Sequence, residues 1–274
     1  MRRAQLAINS ASTVRATFEE CLPAYAEAGF TQVELMLSQV KNYLEAGHSV
    51  AQARALLDRH GLRCIGGFEC PVSAFAPADL QAANGERILA NATLLAELGA
   101  YAMVIGSDAP GADFRGDPIA HLAARVGELA ERTGALGIGL NFEFNWSPLV
   151  KSVRTAAAVA LQSGSAHAGV LFDPAHYHCT PSKFEQLTPQ VVATIKHVHV
   201  DDMADIPGEL SHCNSDRRLP GQGCLDLPAL FGRLEEYGYA GAWSIEMFDE
   251  ELWAMPTAQA ARVMYDSLLP LCSD

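Results

Sequence analysis

Three acidic side chains and one imidazole stand at the ends of four apolar, strand-like segments in the second half of the chain. The segments read Asn141-Phe142-Glu143-Phe144-Asn145, Leu171-Phe172-Asp173-Pro174, His197-Val198-His199-Val200-Asp201-Asp202 and Ser244-Ile245-Glu246-Met247-Phe248. Successive side chains of a strand point to opposite faces. Glu143, Asp173, His199 and Glu246 can therefore share one face, while Phe142, Phe144, Phe172, Val198, Val200, Ile245 and Met247 pack on the other. Any one of the four polar residues alone could be a capping or salt-bridged group. Four on consecutive strands point to a common task. Three carboxylates cannot share a cavity uncompensated, because mutual repulsion and desolvation would both force protonation. One divalent cation resolves the conflict. An oxygen-rich set with one imidazole suits Mn²⁺ best, with Mg²⁺ or Co²⁺ possible, rather than tetrahedral zinc.

The elements that must position these residues follow from the alternation of short apolar runs and longer helical patterns. Strands are expected at 6–10, 32–37, 62–70, 101–107, 137–144, 169–173, 195–201 and 242–248, with the clearest helices at 79–98, 119–133, 227–237 and 257–269. Gly29, Gly61, Gly99, Gly137 and Gly238 each close a helix just before a strand, a left-handed cap that glycine adopts without steric cost. Eight strand–helix repeats without a linker predict one (β/α)₈ TIM barrel spanning residues 1–274 as a single domain. The first turn, Asn9-Ser10-Ala11-Ser12-Thr13, lacks GxGxxG, which argues against a dinucleotide fold. In such barrels the chemistry sits at the carboxyl ends of the strands, where the four residues fall.

Composition narrows the partners. The chain has 274 residues, and its net charge of −13 disfavours nucleic acid and anionic membranes, which call for a basic surface. Its seven cysteines, Cys21, Cys64, Cys70, Cys179, Cys213, Cys224 and Cys272, contain no CxxC pair and read as reduced thiols in a cytoplasmic protein. The apolar stretch after Met1-Arg2-Arg3 is too short for a signal-peptide core, and 155–172 reads as helix, turn and strand rather than a membrane span. Lys41, Lys151, Lys183 and Lys196 all lie away from strand ends, which disfavours a Schiff-base aldolase.

The same residues resemble the xylose-isomerase-like superfamily of barrels, in particular its sugar isomerase/epimerase members. The resemblance covers the whole chain. Its most specific part is His199-Val-Asp-Asp, then Asp216-Arg217-Arg218-Leu219-Pro220-Gly221-Gln222-Gly223, then Ser244-Ile-Glu246-Met-Phe248 with Glu251-Leu-Trp253; this run is most similar to the 2-keto-myo-inositol (inosose) isomerases of inositol catabolism. The resemblance implies metal ligation by Glu143, Asp173, His199 and Glu246, and substrate contacts from His176 and Arg217. It also implies enediolate chemistry on a keto-sugar or keto-cyclitol, with Glu143 and Glu246 moving the proton. Trp146 is expected to cover an apolar face of the substrate, and Asp201 and Asp202 to orient His199. His178 and His197 are expected to be hydrogen-bonding or packing residues. Strand three departs from the pattern: a smaller polar residue than Phe68 or Glu69 is expected to line the pocket.

Other outcomes start from the same enolate. A dehydratase or lyase, or a 3-keto-glycoside epimerase, would need the same ligands. A repair endonuclease on this fold would need further ligands at strand four, which ends Val104-Ile105-Gly106-Ser107 and offers none. A homo-oligomer is possible on sequence grounds.

Overall fold

The computed structural model describes residues 1–273. Ten strands occur in chain order: β1 (Leu6–Asn9), β2 (Gln32–Met36), β3 (Arg63–Phe68), β4 (Ala102–Ile105), β5 (Gly139–Glu143), β6 (Ala168–Phe172), β7 (Ile195–Val200), β8 (Asp202–Met203), β9 (Arg217–Arg218) and β10 (Trp243–Ile245). Eight of them close a parallel barrel in the order β1-β10-β7-β6-β5-β4-β3-β2; β8 and β9 form a separate antiparallel ribbon. Closure is made by β10, which pairs with β1 on one side and β7 on the other. The expected (β/α)₈ architecture is thus observed.

The expected helices appear as Ala78–Glu97, Pro118–Gly134, Leu227–Glu236 and Thr257–Leu268. All five predicted cap glycines hold positive φ, from 65° at Gly61 to 112° at Gly29. All but β6 of the barrel strands are shorter than the apolar runs that announced them.

Most of the core lies between strands and helices. Phe142, Phe144, Phe172, Val198, Val200, Ile245 and Met247 all belong to it, as strand alternation required. Inside the barrel the apolar filling is small: Ala7, Ile65 and Ala242 form a plug of their own. Buried polar side chains, among them Asn9, Glu34, Asn141, His197 and Ser244, occupy other strand positions. Among the described residues, no helix is long and apolar enough to cross a membrane, and all seven cysteines are free.

Candidate metal centre and active site

Glu143 ends β5, Asp173 follows β6, His199 lies in β7 and Glu246 follows β10. Their side chains meet at the mouth of the barrel, with one ligand atom from each lying within 4.8 Å of all the others. His199 Nδ1 is the common neighbour, at 3.3 Å from Asp173 Oδ2, 3.3 Å from Glu246 Oε2 and 3.6 Å from Glu143 Oε1. Octahedral ligands about 2.1 Å from a metal are separated by about 3–4 Å, so the spacing matches a cage for one ion.

Charge counting leads to the same conclusion. Glu34, Glu143, Asp173, Asp201 and Glu246 are all buried around the mouth and interior, and Arg217 is the buried guanidinium that faces them. Glu143 Oε1 has no hydrogen-bond partner. A divalent cation fits the donor set: three hard oxygens and one imidazole nitrogen, with anionic charge in excess.

Local sequence explains how each ligand is held. Asp173 is the N-cap of the short helix Pro174–His178, its Oδ1 accepting from His176 N at 2.8 Å, and Pro174 is pre-set for the first helical position. The cap fixes the carboxyl group so that Oδ2 faces Arg217 and His199. It also brings His176 over the site, with Nε2 3.4 Å from Glu143 Oε1 and Nδ1 3.2 Å from Asn145 Nδ2. Asn145 adopts a positive φ of 71°, a conformation asparagine tolerates better than most residues.

The loop after β7 returns through the β8–β9 ribbon, which puts Arg217 and Arg218 on opposite faces. Arg217 is buried and Arg218 exposed. Arg217 Nη2 lies 3.0 Å from Asp173 Oδ2, and Nη1 lies 2.8 Å from Asp201 Oδ2 and 3.0 Å from Glu246 Oε2. Nη1 also donates to Glu246 O at 2.8 Å, Nε donates to Cys213 O at 2.9 Å, and the guanidinium lies 5.0 Å from the Phe248 ring centre. Expected to bind substrate, Arg217 lines the cavity but also braces two of the three ligand carboxylates.

The electrostatics follow from these contacts. Burial opposes ionisation of Asp173, but Arg217 foremost, then His176 and His199, hold its carboxyl well below the ordinary range. Burial also works against the charged forms of His176 and His199. Asp173 and Glu143 outweigh it at His176, and Glu246 and Glu34 at His199, so both imidazoles sit well above their usual pKa. Burial and the Asp173 charge raise Asp201 well above the usual carboxylate value.

A cavity of about 240 Å³ opens over the cage. His176, Asn145, Arg217 and three of the ligands, Glu143, His199 and Glu246, form its polar side; Phe68, Trp146, Val104 and Phe248 form the apolar one. Phe68 meets Trp146 edge-on at 6.2 Å, so this wall is aromatic where a small polar residue was expected. Glu69 turns away to Lys41, 2.5 Å distant. A larger cavity of about 700 Å³, bordered by Arg218, Trp253 and Phe248, lies beside the site but contains none of the converging ligands.

One expectation needs correction. Neither Asp201 nor Asp202 orients His199. Asp201 binds Ala175 N at 2.9 Å and Arg217, while Asp202 accepts from Gly221 N, Gly223 N and Leu225 N at 3.0–3.1 Å and thereby clamps the Pro-Gly-x-Gly turn. Sequence reasoning missed Glu34 and Asn9, which approach His199 from β2 and β1; neither carries a motif. Asn9 Nδ2 donates to Glu246 Oε1 at 2.9 Å. His197 and His178 are hydrogen-bonded as expected, to Glu34 and to Ile206 O.

A family model described as "Xylose isomerase-like TIM barrel" matches residues 22–267. The chain belongs to this family. Among curated relatives, the inosose isomerase of Halalkalibacterium halodurans is 29% identical over 149 residues, 53% of this chain and 52% of the relative. The chain thus spans about half the length of that relative. A 3-dehydroshikimate dehydratase of Pseudomonas aeruginosa is 28% identical over 270 residues, 93% of this chain and 40% of the relative. Among solved structures, the IOLI protein with a binding zinc atom superposes with a TM-score of 0.88 at 20% identity, covering 98% of each chain.

Proposed function

We propose that this xylose isomerase-like barrel is a divalent-metal-dependent isomerase or epimerase of a keto-cyclitol or ketose, with an inosose as the leading substrate. The observation that carries the reading is the convergence of Glu143, Asp173, His199 and Glu246 under a cavity of about 240 Å³, the size of a single sugar ring. The inosose isomerase relatives support the substrate class.

Glu143, Asp173, His199 and Glu246 would hold the ion, which when bound supplies Lewis-acid stabilisation of negative charge developing on substrate oxygens. The remaining steps belong to the chain. Glu246 follows β10 and Glu143 ends β5, three strands apart around the barrel, so one removes the carbon-bound proton and the other returns it. Return to the same carbon is epimerisation; return to the neighbouring carbon is isomerisation. A positioned proton carrier of this kind contributes about 10²–10⁴-fold. His176 donates a hydrogen bond to the oxygen that gains charge. Arg217 holds Asp173 and Glu246 in place and presents its guanidinium to the substrate. Trp146 and Phe68 cover the apolar face of the ring and exclude water. The donor set favours Mn²⁺, Mg²⁺ or Co²⁺; zinc in the IOLI structure makes it the fourth ion to compare.

A dehydratase would begin with the same proton abstraction and then expel a β-substituent. The alignment over 93% of this chain with a 3-dehydroshikimate dehydratase favours keeping that reading second.

The test is solvent exchange. Metal-loaded protein is incubated in D₂O with keto-inositols, ketoses and 3-dehydroshikimate, and deuterium at the α-carbon is followed by mass spectrometry. Exchange is expected with a keto-cyclitol or ketose, lost on chelation with the fold intact, and reduced at least 10²-fold in Glu143→Gln and Glu246→Gln. Glutamine keeps a carbonyl ligand but accepts no proton at neutral pH. Exchange that survives chelation, or wild-type exchange in both variants, refutes the reading. Loss of water from 3-dehydroshikimate alone selects the dehydratase.

A further inference from the structure

Deeper in the barrel than the cage lies a fifth acid, grouped with His197 and His199 in a second cluster of ligand-type side chains that shares His199 with the cage. Glu34, in the middle of β2, is completely buried. Two imidazole nitrogens and a hydroxyl converge on its Oε2: His197 Nε2 at 2.9 Å, His199 Nε2 at 3.1 Å and Ser244 Oγ at 2.9 Å. Its other oxygen, Oε1, has no hydrogen-bond partner. An ionised carboxylate oxygen has no proton to give and acts as an acceptor only.

That arrangement decides which nitrogen of His199 is free. An imidazole that ligates a metal must be neutral, with one N–H and one lone pair. Asn9 Nδ2, the other polar atom near Nε2, is 3.5 Å away and is itself a donor committed to Glu246 Oε1 at 2.9 Å, so it cannot accept a proton from the ring. Glu34 is the acceptor. With Nε2–H directed at Glu34, the lone pair falls on Nδ1, the atom that faces Asp173, Glu246 and Glu143. The alternative tautomer would place a lone pair against a carboxylate and an N–H inside the cage.

We propose that Glu34 is the positioning residue of the metal centre: it locks His199 in the tautomer and ring orientation that turn Nδ1 into a ligand. His197 uses the same oxygen from the side away from the cage, and its Nδ1 has no partner. It braces Glu34. Parallel pairing supplies the geometry, since Asn9 is in register with Glu34 across β1–β2, and Ser244 with His199 across β10–β7. This inference rests on the metal reading of the site given above.

The experiment measures Co²⁺ affinity of the full chain by the visible absorption of the bound ion, beside the urea midpoint of the metal-free protein. Glu34→Gln keeps the shape but brings an amide N–H₂ group toward the two imidazoles and the hydroxyl. Glu34→Asp keeps the charge but draws the carboxylate back by about 1.5 Å, one C–C bond. Loss of such a partner to a ligating histidine typically weakens metal binding about 10–100-fold. Both variants are expected to show that loss while the metal-free protein still unfolds cooperatively in urea, at a lower midpoint than the wild type. Wild-type affinity in Glu34→Gln overturns the proposal, and full affinity in Glu34→Asp alone replaces orientation by simple charge and overturns it too. Should Glu34→Gln not fold, Glu34→Asp carries the test; failure of both to fold assigns Glu34 to the scaffold. Absence of Co²⁺ binding by the wild-type protein removes the metal reading itself and is distinguishable from all of these.

Discussion

Replacing Arg217 by methionine isolates the role of the one guanidinium among the buried carboxylates. Methionine fills much of the aliphatic stem and removes the charge. The loss leaves Asp173 Oδ2, Asp201 Oδ2 and Glu246 Oε2 without the guanidinium contacts now formed at 3.0, 2.8 and 3.0 Å. Breaking a fully buried pair from one side costs about 3–5 kcal/mol, since the remaining charge stays buried and uncompensated. For a domain of this size each kcal/mol shifts Tm by about 2–4 °C, so metal-free Arg217→Met should melt about 6–20 °C below the wild type at pH 7.5. The pH dependence has a definite sign. In the wild type Asp173 has a folded pKa below its unfolded value, with Arg217 the leading favourable cause against burial. Its contribution is therefore present above about pH 4 and is lost only as pH falls through the depressed folded value. Without Arg217 the largest favourable cause is gone, His176 and His199 remain, and the folded pKa rises from its depressed value. The variant's carboxylate then protonates at a higher pH than the wild type's, so the gap to wild type narrows as pH falls toward that value. Saturating Mn²⁺ or Co²⁺ should recover part of the loss. Arg218→Met is the control: Arg218 is exposed, and among its contacts is one bond of 2.8 Å to Arg217 O, so about 0.5 kcal/mol or less is expected. Calorimetry at pH 5.0 and 7.5 reads both variants. A Tm within 2 °C of wild type at pH 7.5, or a gap that widens on acidification, refutes the reasoning.

Two further outcomes are expected. In Gly106→Ala the new Cβ would meet Trp146 O at 2.0 Å, so the loop carrying Trp146 and Asn145 must move; a loss of about 1–3 kcal/mol in urea unfolding and a higher KM are expected, and a wild-type KM would separate that loop from substrate binding. Burial pushes the thiols of Cys21 and Cys64 up to about 12, whereas Cys224 is exposed. Alkylation at pH 8, read by peptide mass spectrometry, should mark Cys224 within minutes and reach Cys21 and Cys64 only in denaturant; equal rates would contradict the core packing.

The resemblance to sugar isomerases named the ligand set, but the residues themselves had already grouped it. Period-two alternation separates Glu143 from Phe142 and Phe144, and His199 from Val198 and Val200, and the eightfold repeat fixes the ends where they gather. The helix-capping glycines were equally legible, because positive φ is a property of the residue itself.

What sequence left open depends on contacts made only when the barrel closes. Asn9 and Glu246 are 237 positions apart, and Glu34 and His199 are 165 apart, joined by the β1–β10 and β1–β2 pairings. No local pattern distinguishes a strand glutamate facing solvent from one ringed by two imidazoles and a hydroxyl. The same holds for Asp201 and Asp202. Alternation sends them to opposite sides of the loop, but only the path of the chain after β7 decides that one meets Arg217 and the other clamps the Pro-Gly-x-Gly turn. Sequence by itself determined which residues could hold a cation, since that depends on donor chemistry and strand periodicity. Tertiary structure decided how they are braced, since hydrogen bonds to Glu34, Asn9 and Arg217 exist only in the closed barrel.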